Sequence, residues 1–261
     1  MTTFSSRLGN RALDLLAFGW QQALSCLFAV TIVLGLALTR FVDFGLARYD
    51  TMLVLCIIVQ IVLVATKIET RDELLVICLF HVLGLALEVF KVAVGSWSYP
   101  DAGLLRIGEV PIYSGFMYAA IASYICQAWR RFDLDIDHVP MVPTMIVAVL
   151  FYVNFFTNHW LPDARWVLLL IAAVILRRTW VRFRVRETIY RMPLLVSFLL
   201  IGFFIWFVEN VATMLGAWSY PGQEAGWTLV HASKIGSWMV LVIFSFMLVL
   251  WFKQRKNSLV D

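Results

Sequence analysis

Two glutamates occupy matching positions ahead of two copies of one short motif. The pattern Gly-x-Trp-Ser-Tyr-Pro occurs at residues 95–100 and 216–221, and Glu88 and Glu209 each stand seven residues before its glycine. Seven residues are about two helical turns, or roughly 10 Å, so each carboxyl group is predicted to lie well inside a hydrocarbon layer about 30 Å thick. A carboxyl group at that depth can serve as a general acid or carry a proton.

Lysines are spaced so that they reach these glutamates. Lys91 follows Glu88 by three residues, so the two are predicted to form a local ion pair, and Lys234 is predicted to reach Glu209 across helices. A charge at membrane depth costs about 3 kcal/mol on insertion scales, so these groups are expected to face the interior of a helix bundle. Glu88, Glu209, Lys91 and Lys234 are therefore the candidate catalytic residues.

Aromatic and polar side chains near the glutamates complete a predicted substrate pocket. Its residues are His81, Trp97, Tyr99, Tyr113, Asn154, His159, Asp163, Asn210, Trp218, Tyr220, His231 and Trp238. The polar group within 154–165 is interpreted as a hydrogen-bonded lid, because its His-x-x-x-Asp spacing is too common to indicate a metal site. The alternative interpretation is that all these groups are satisfied pairs that only lock the bundle. No metal or cofactor is predicted.

The composition places this site in a membrane protein. Hydrophobic residues make up 62% of the 261 residues and charged residues 15%, whereas soluble domains average about 25% charged residues. Apolar runs predict an all-α, polytopic transmembrane bundle of about eight helices that forms one domain over residues 1–261. The spans are predicted near 15–38, 50–66, 73–94, 111–129, 141–158, 164–180, 192–214 and 229–252.

The distribution of basic residues predicts the orientation. Most of the 21 lysines and arginines fall on one side of the spans, so both termini are predicted to be cytoplasmic and both motifs to lie on the outer side. The basic segment 177–191 is interpreted as a cytoplasmic loop, with a short strand or a lipid-facing stretch within 181–186 as the alternative. Membrane lipid is the predicted partner and nucleic acid is excluded. The sequence leaves the oligomeric state open.

The two motifs also indicate an internal repeat. Gly115 matches Gly236 at the same offset that separates the motif copies. Because four predicted spans separate the copies, the two halves, about residues 1–130 and 141–254, are predicted to run parallel about an axis along the membrane normal. The sequence lacks a P-loop and the signatures of zincins and serine hydrolases, which argues against those enzymes and against nucleotide-driven pumps.

Longer stretches of the sequence carry a family signature. They are YRMPLLVSFLLIGFFIWFVENVATMLGAWSYPGQEAGW (190–227), KIGSW (234–238), FYVNFFTNHWLPDARW (151–166), EVFKVAVGSWSYP (88–100) and GFMYAAIASY (115–124). They resemble the YoaT-like bacterial membrane proteins, a family of unknown function (DUF817), over roughly residues 70–252. The resemblance implies a bacterial cytoplasmic-membrane protein with no assigned activity. A fainter similarity links the buried glutamate and its aromatic loop to membrane lycopene cyclase and carotenoid hydratase-type proteins.

Three functions follow from these expectations. The favoured one is a membrane-embedded binding protein, or a cofactor-free acid/base enzyme, for an apolar substrate such as an isoprenoid or another lipid, with one glutamate as general acid. The second is a proton-coupled secondary transporter of a small solute; against it, no comparable polar group is predicted near the cytoplasmic ends of the spans. The third is a structural or accessory membrane protein without a ligand.

Overall fold

The described chain, residues 2–223 and 225–257 of a computed structural model, is mostly α-helical. Its helices are α1 (Thr2–Ser25), α2 (Leu27–Phe41), α3 (Arg48–Ala65), α4 (Arg71–Ala93), α5 (Ser114–Arg131), α6 (Met141–Thr157), α7 (Arg165–Leu176), α8 (Leu194–Met214) and α9 (Lys234–Asn257). The strands are β1 (Arg106–Ile107), β2 (Val110–Pro111), β3 (Asp135–Asp137), β4 (Trp180–Val185) and β5 (Thr188–Pro193). The predicted class, an α-helical membrane bundle, is confirmed.

Helices occur at all eight predicted spans, and the first span is broken. α1 and α2 meet at an angle of 67° next to Cys26. By length and hydropathy, α3, α4, α8 and most of α9 are each sufficient to cross a membrane, and the bent pair α1–α2 is a fifth candidate. α6 and α7 have 17 and 12 residues, fewer than the about 20 that a perpendicular span needs.

α5 packs against four other helices, α1, α2, α4 and α9. Small residues on its buried face, such as Gly115, Ala119 and Ala122, let neighbouring helices approach closely. The most extensive helix packing joins α4 to α5, and the next most extensive joins α8 to α9.

Two helices begin deep within the bundle. Gly115, the second residue of α5, lies beside His81, because a Cβ on Gly115 would be 2.7 Å from the His81 carbonyl oxygen. Ile235, the second residue of α9, lies in the same way beside Gly202 of α8. His81 and Gly202 each precede the end of their helix by twelve residues. At 1.5 Å per residue, α5 and α9 therefore begin about 18 Å from the C-terminal ends of α4 and α8.

The chain leading into α5 and α9 is irregular, and buried polar side chains satisfy its backbone. The Asp50 carboxylate accepts hydrogen bonds from the amides of Leu104 and Leu105 at 2.7 and 2.9 Å. Asn210 Oδ1 accepts one from the amide of Val230 at 2.8 Å. Irregular backbone inside a membrane protein is tolerated only where such partners exist or a polar cavity is lined. Asn210, predicted to line a pocket, therefore bonds to the chain that enters α9.

The basic segment 177–191, for which the sequence favoured a plain loop, forms strands, as in the alternative interpretation, and α1 covers them. β4 lies between β3 and β5 in an antiparallel sheet. Phe18 of α1 packs against the rings of Phe132 and Phe183 at 5.3 and 5.8 Å. Asp14, also on α1, accepts a hydrogen bond of 2.8 Å from Tyr190 of β5. These contacts account for the break after Ser25, because α1 follows the sheet rather than the axis of α2.

Candidate functional site

Glu88 is held by three aromatic side chains. It lies near the end of α4 and is 3% exposed. Its Oε2 accepts hydrogen bonds from Trp97 Nε1 and Tyr99 Oη, and its Oε1 accepts one from Tyr118 Oη, each 2.7 Å long. Trp97 and Tyr99 belong to the first motif, which turns back over α4 because Gly95 adopts a left-handed conformation with φ of 75°. The motif thus folds onto the glutamate that precedes it.

Glu209 is held in a similar way on α8. It is 2% exposed, and its Oε1 accepts a hydrogen bond of 2.5 Å from Tyr220 Oη. Its Oε2 accepts one of 2.7 Å from Trp238 Nε1, which lies on α9 and not in the motif. Gly216, with φ of 76°, turns the chain at the end of α8. In both motifs the tyrosine reaches the glutamate eleven residues before it.

Lys234 lies between the two glutamates. Its Nζ is 4.3 Å from the centre of the Tyr220 ring and 5.4 Å from that of Trp97, and the two rings meet edge to face at 6.0 Å. The ammonium therefore contacts one hydrogen-bond donor of each carboxyl group through a cation–π interaction. The predicted reach of Lys234 to Glu209 runs through these rings, without a direct salt bridge.

Lys91 turns away from Glu88, so the predicted local ion pair is wrong. Its Nζ donates to Asn158 Oδ1 at 3.2 Å, lies 2.9 Å from His159 Nε2, and sits 4.1 Å above the Phe155 ring. The physical reason is that three donors already occupy the Glu88 carboxyl group, while the end of α6 offers two acceptors. Burial, and then the charge of Lys91, lowers the pKa of His159, which keeps its ring neutral and able to accept.

The polar residues within 154–165 bond mainly to one another. Asn154 Nδ2 donates to Asp163 Oδ1 at 3.0 Å, and the Ala164 amide donates to Asn154 Oδ1 at 2.9 Å. Burial alone would raise the pKa of Asp163, but hydrogen bonds from Asn154 and Arg165, with the charge of Arg165, hold it below its usual value. Asn154 and Asp163 thus belong to the α6–α7 connection, which Lys91 joins to α4.

The two motifs close over the glutamates and bond to each other. Ser98 and Ser219, at the same place in the two copies, exchange both backbone hydrogen bonds at 2.9 Å. The hydroxyl groups of Tyr113 and Tyr49 donate to the Ala217 carbonyl at 3.0 and 3.2 Å. Tyr113, a predicted pocket residue, therefore belongs to this closure and does not contact a carboxyl group.

Arg48 on α3 ties the same closure to the end of α8. Its guanidinium donates to the carbonyls of Leu215 and Gly216 at 2.7 and 3.1 Å, and it forms a salt bridge with Asp101, just after the first motif. The last carbonyls of a helix lack partners within the helix, so this arginine satisfies them. The closure is therefore built from four elements: α3, α8 and the two motif loops.

Three predicted pocket residues lie apart from the carboxyl groups. His81 is half-buried, stands seven residues before Glu88 on α4, and packs against the Phe116 ring with centroids 4.4 Å apart. Trp218 is buried in the hydrophobic core. His231 is exposed and precedes α9.

Two important residues were not predicted. Tyr118 bonds to Glu88, and a signal for it existed: it follows Gly115 by three residues, as Trp238 follows the matching Gly236 by two. Glu69 is a buried acid between α3 and α4; it stands in a run of charged residues, a pattern that usually indicates exposure. The position of Tyr118 close to Gly115 was therefore a usable signal, whereas nothing in the sequence indicates that Glu69 is buried.

Two clefts lie away from the glutamates. One, of about 310 Å³, is lined by residues of the α2–α3 connection, and another, of about 500 Å³, by residues around 100–109. Neither includes Glu88 or Glu209. Among residues 2–223 and 225–257, no three His, Cys, Asp or Glu side chains are grouped closely enough to hold a metal ion. The two carboxyl groups, held by neutral donors around one ammonium, are suited to gaining and losing a proton.

Comparisons with known proteins relate this site to a family. "Uncharacterized protein YoaT" of Bacillus subtilis (strain 168) is 51% identical over 243 residues, which cover 92% of each chain. A cross-linked MvINS trimer is similar in structure, with a TM-score of 0.51 at 12% identity, covering 72% of this chain and 96% of that one. MvINS, an Insig homolog from Mycobacterium vanbaalenii, also matches in a second structure with a TM-score of 0.49.

At such low identity the likeness to MvINS concerns the fold alone. The sequence relationship is more specific and covers both motifs. It also includes the first two predicted spans, which carry little of the signature recognised in the sequence. Residues 14–246 match the family described as "Protein of unknown function (DUF817)", and the chain belongs to that family.

Proposed function

We propose that this protein is a proton-coupled transporter of a small solute in the bacterial cytoplasmic membrane. Glu88, Glu209 and Lys234 form its proton-binding centre. The observation that carries the proposal is that one ammonium, that of Lys234, lies over a ring that donates to each buried carboxyl group: Trp97 for Glu88 and Tyr220 for Glu209. Ionisable groups inside a membrane protein mark ion and proton pathways more often than they mark structural pairs.

The charge of this centre argues for proton binding. Glu88, Glu209 and Lys234 carry one net negative charge when both carboxyl groups are ionised, because the ammonium of Lys91 bonds to Asn158 and His159 at the end of α6 instead. An uncompensated buried charge is costly. Five hydrogen bonds from tyrosine and tryptophan stabilise the ionised form, because such donors bond more strongly to a charged acceptor. Uptake of one proton makes the centre neutral and weakens these hydrogen bonds. Proton binding is thereby linked to the loops that supply the donors.

The position of the centre suits alternating access. With both termini cytoplasmic, the motif loops lie on the outer side and close over the carboxyl groups. The loops come from the two sequence repeats and meet at Ser98 and Ser219. Deep helix starts beside irregular chain, as found for α5 and α9, are typical of transporter binding sites. The loop contact is thus the proposed outer gate.

The acid/base enzyme hypothesis has less support. A general acid must direct its proton at a substrate, whereas both oxygens of Glu88 and of Glu209 already accept hydrogen bonds from protein side chains. The structural hypothesis accounts for these bonds. It does not account for two carboxyl groups where neutral amides would satisfy several of the same donors.

Cross-linking of the loops tests the proposal before a solute is known. In a background with Cys78→Ser, which removes the exposed cysteine, Ser98→Cys and Ser219→Cys should form a disulfide. Paired residues that exchange both hydrogen bonds have Cα atoms about 5.5 Å apart, within the range that a disulfide spans. We expect the cross-linking rate to fall at low pH, as protonation releases the loops, and to stay low at every pH after Glu209→Gln.

A second cysteine pair corrects for the pH dependence of the thiols themselves. Arg184→Cys and Ile189→Cys lie opposite each other in β4 and β5, so their rate reports thiol chemistry without the gate. If the ratio of the two rates is the same at all pH values and in Glu209→Gln, the loops do not open on protonation. That result would leave the structural role as the better account.

A further inference from the structure

Another buried carboxyl group, that of Glu69, lies at the opposite end of the α4–α5 interface from Glu88. Glu69 comes two residues before α4 begins and is 1% exposed. Ser123 Oγ of α5 donates to its Oε1, and Gln60 Nε2 of α3 donates to its Oε2. Helices α3 and α5 therefore enclose an acid that the surrounding charged sequence would place in water.

The basic groups near Glu69 are engaged elsewhere, and Glu69 has no salt bridge within the described chain. Arg130 pairs with Glu73 at 3.5 Å and bonds to the Ile68 carbonyl. Arg131 Nε donates to Gln127 Oε1 at 3.1 Å. The charge of Glu73 on α4 acts on Glu69. Further charged and titratable groups on the elements around Glu69 include Lys67 of the α3–α4 connection, Arg71 and Asp72 of α4, Cys126, Arg130 and Arg131 of α5, and Lys253 of α9.

Two amide atoms beside Glu69 indicate which kind of ligand fits this site. Gln60 Oε1 and Gln127 Nε2 are buried without a hydrogen-bond partner among the residues described; Gln60 is 9% exposed and Gln127 fully buried. One is an acceptor and the other a donor, so a group that both donates and accepts, such as a water molecule, satisfies both.

We propose that Glu69 is a second proton-exchange residue, which trades protons with the cytoplasm and supplies the Glu88 centre along the α4–α5 interface. His81 lies between them on α4, with a buried Nδ1 that has no partner in the described residues. It is seven residues, or about 10 Å, from Glu88. The supply of Glu88 rests on the proposed transport function, whereas proton binding at Glu69 does not. The lack of a predicted polar group near the cytoplasmic ends of the spans argued against transport, and Glu69 supplies such a group.

The surroundings of Glu69 set the direction of its titration. Burial raises the pKa of Glu69, the hydrogen bonds from Ser123 and Gln60 oppose this, and the charge of Glu73 adds to it. The folded protein then binds this proton more tightly than the unfolded chain does. The resulting stabilisation is complete below about pH 4.3, the usual glutamate pKa, and is lost as pH rises through the folded pKa.

This linkage gives a prediction for thermal stability. Because glutamine cannot titrate, we expect the melting temperature of the wild type in detergent to fall with rising pH relative to that of Glu69→Gln. The measurement is a set of melting curves of both proteins across this pH range. Parallel pH profiles would mean that Glu69 does not change its protonation between the folded and unfolded states, contrary to the proposal.

Carbodiimide labelling tests proton binding at Glu69 directly. Dicyclohexylcarbodiimide enters apolar regions and modifies protonated carboxyl groups, and mass spectrometry of peptides locates the product in the full-length protein. Glu73, four residues away and paired with Arg130, is the matched control. We expect at least tenfold more label on Glu69 than on Glu73, increasing as pH falls. Equal labelling, or labelling independent of pH, would overturn the proposal, as would protection by sodium or potassium chloride at fixed pH, which indicates a cation site.

The link to Glu88 has its own readout. If Glu69 supplies protons to the centre, Glu69→Gln should weaken the pH dependence of cross-linking between the cysteines at 98 and 219. Unchanged pH dependence in that variant would show that Glu69 is not on the path. If instead the Ser98→Cys, Ser219→Cys protein with Glu69 intact shows no pH-dependent cross-linking, but Glu69 is labelled in the wild type, the transport proposal fails and the proton site at Glu69 remains.

Discussion

Replacing Glu88 with leucine is expected to lower the free energy of unfolding by about 3 kcal/mol or more. The change leaves Trp97, Tyr99 and Tyr118 without the acceptor that each now bonds at 2.7 Å. A buried donor that loses its partner costs about 1–3 kcal/mol, and the indole N–H of Trp97 has no other role than donor. Denaturant titration in mild detergent, followed by tryptophan fluorescence, measures the loss.

Glu88→Gln is the matched control for this substitution. Its amide oxygen can accept from Trp97 and Tyr99, and its NH₂ group can donate to Tyr118, whose hydroxyl turns to accept. The glutamine variant should therefore lose about 1 kcal/mol, one ordinary hydrogen bond, while being unable to bind a proton. A leucine variant as stable as the glutamine variant would show that the three aromatic donors contribute little, and that the motif is held by packing alone.

The glutamates and their motifs could be predicted because rare residue types repeat at one offset. The sequence correctly indicated that Glu88 and Glu209 are buried, and that a membrane bundle holds them. It did not indicate which donors meet each acid. Tyr99 and Tyr220 reach back by the same eleven residues, a distance set by the left-handed glycine turn that follows each helix and not by helical periodicity.

Helical spacing was misleading for Lys91. A separation of three residues brings two side chains to the same side of a helix, which is why an ion pair with Glu88 was expected. Each side chain instead follows the partners offered by other elements: the motif aromatics for Glu88, and Asn158 with His159 for Lys91. Tertiary contacts of this kind depend on how α4 packs against α6, which a single sequence does not state.

The break between α1 and α2 also could not be predicted from the sequence, for a physical reason. Residues 15–38 form one continuous apolar run, so hydropathy alone predicts a single span. The helix turns because Asp14 and Phe18 of α1 have partners on the sheet formed by β3, β4 and β5. That sheet is assembled from segments more than a hundred residues later in the chain, so no local sequence pattern indicates the contact.

Substitution of Gly115 by alanine is expected to destabilise the protein although alanine is the better helix former. An added Cβ would lie 2.7 Å from the His81 carbonyl oxygen and 2.8 Å from the His81 ring. The nearest atom belongs to the backbone and cannot turn aside, so α5 must move away from α4. Overpacking of this kind costs about 1–3 kcal/mol, more than the roughly 0.5–1 kcal/mol that alanine gains over glycine in a helix.

Gly19→Ala is the control, because a Cβ on Gly19 of α1 would meet nothing within 4 Å. We expect it to stabilise the protein by about 0.5–1 kcal/mol in the same denaturant titration, so that one chemical change has opposite signs at two helical glycines. Moving α5 also draws Tyr118 away from Glu88, since both belong to the α4–α5 interface. Gly115→Ala should therefore weaken the pH dependence of loop cross-linking as well, whereas Gly19→Ala should not. Equal effects of the two substitutions would mean that close contact between α4 and α5 does not position the proton-binding centre.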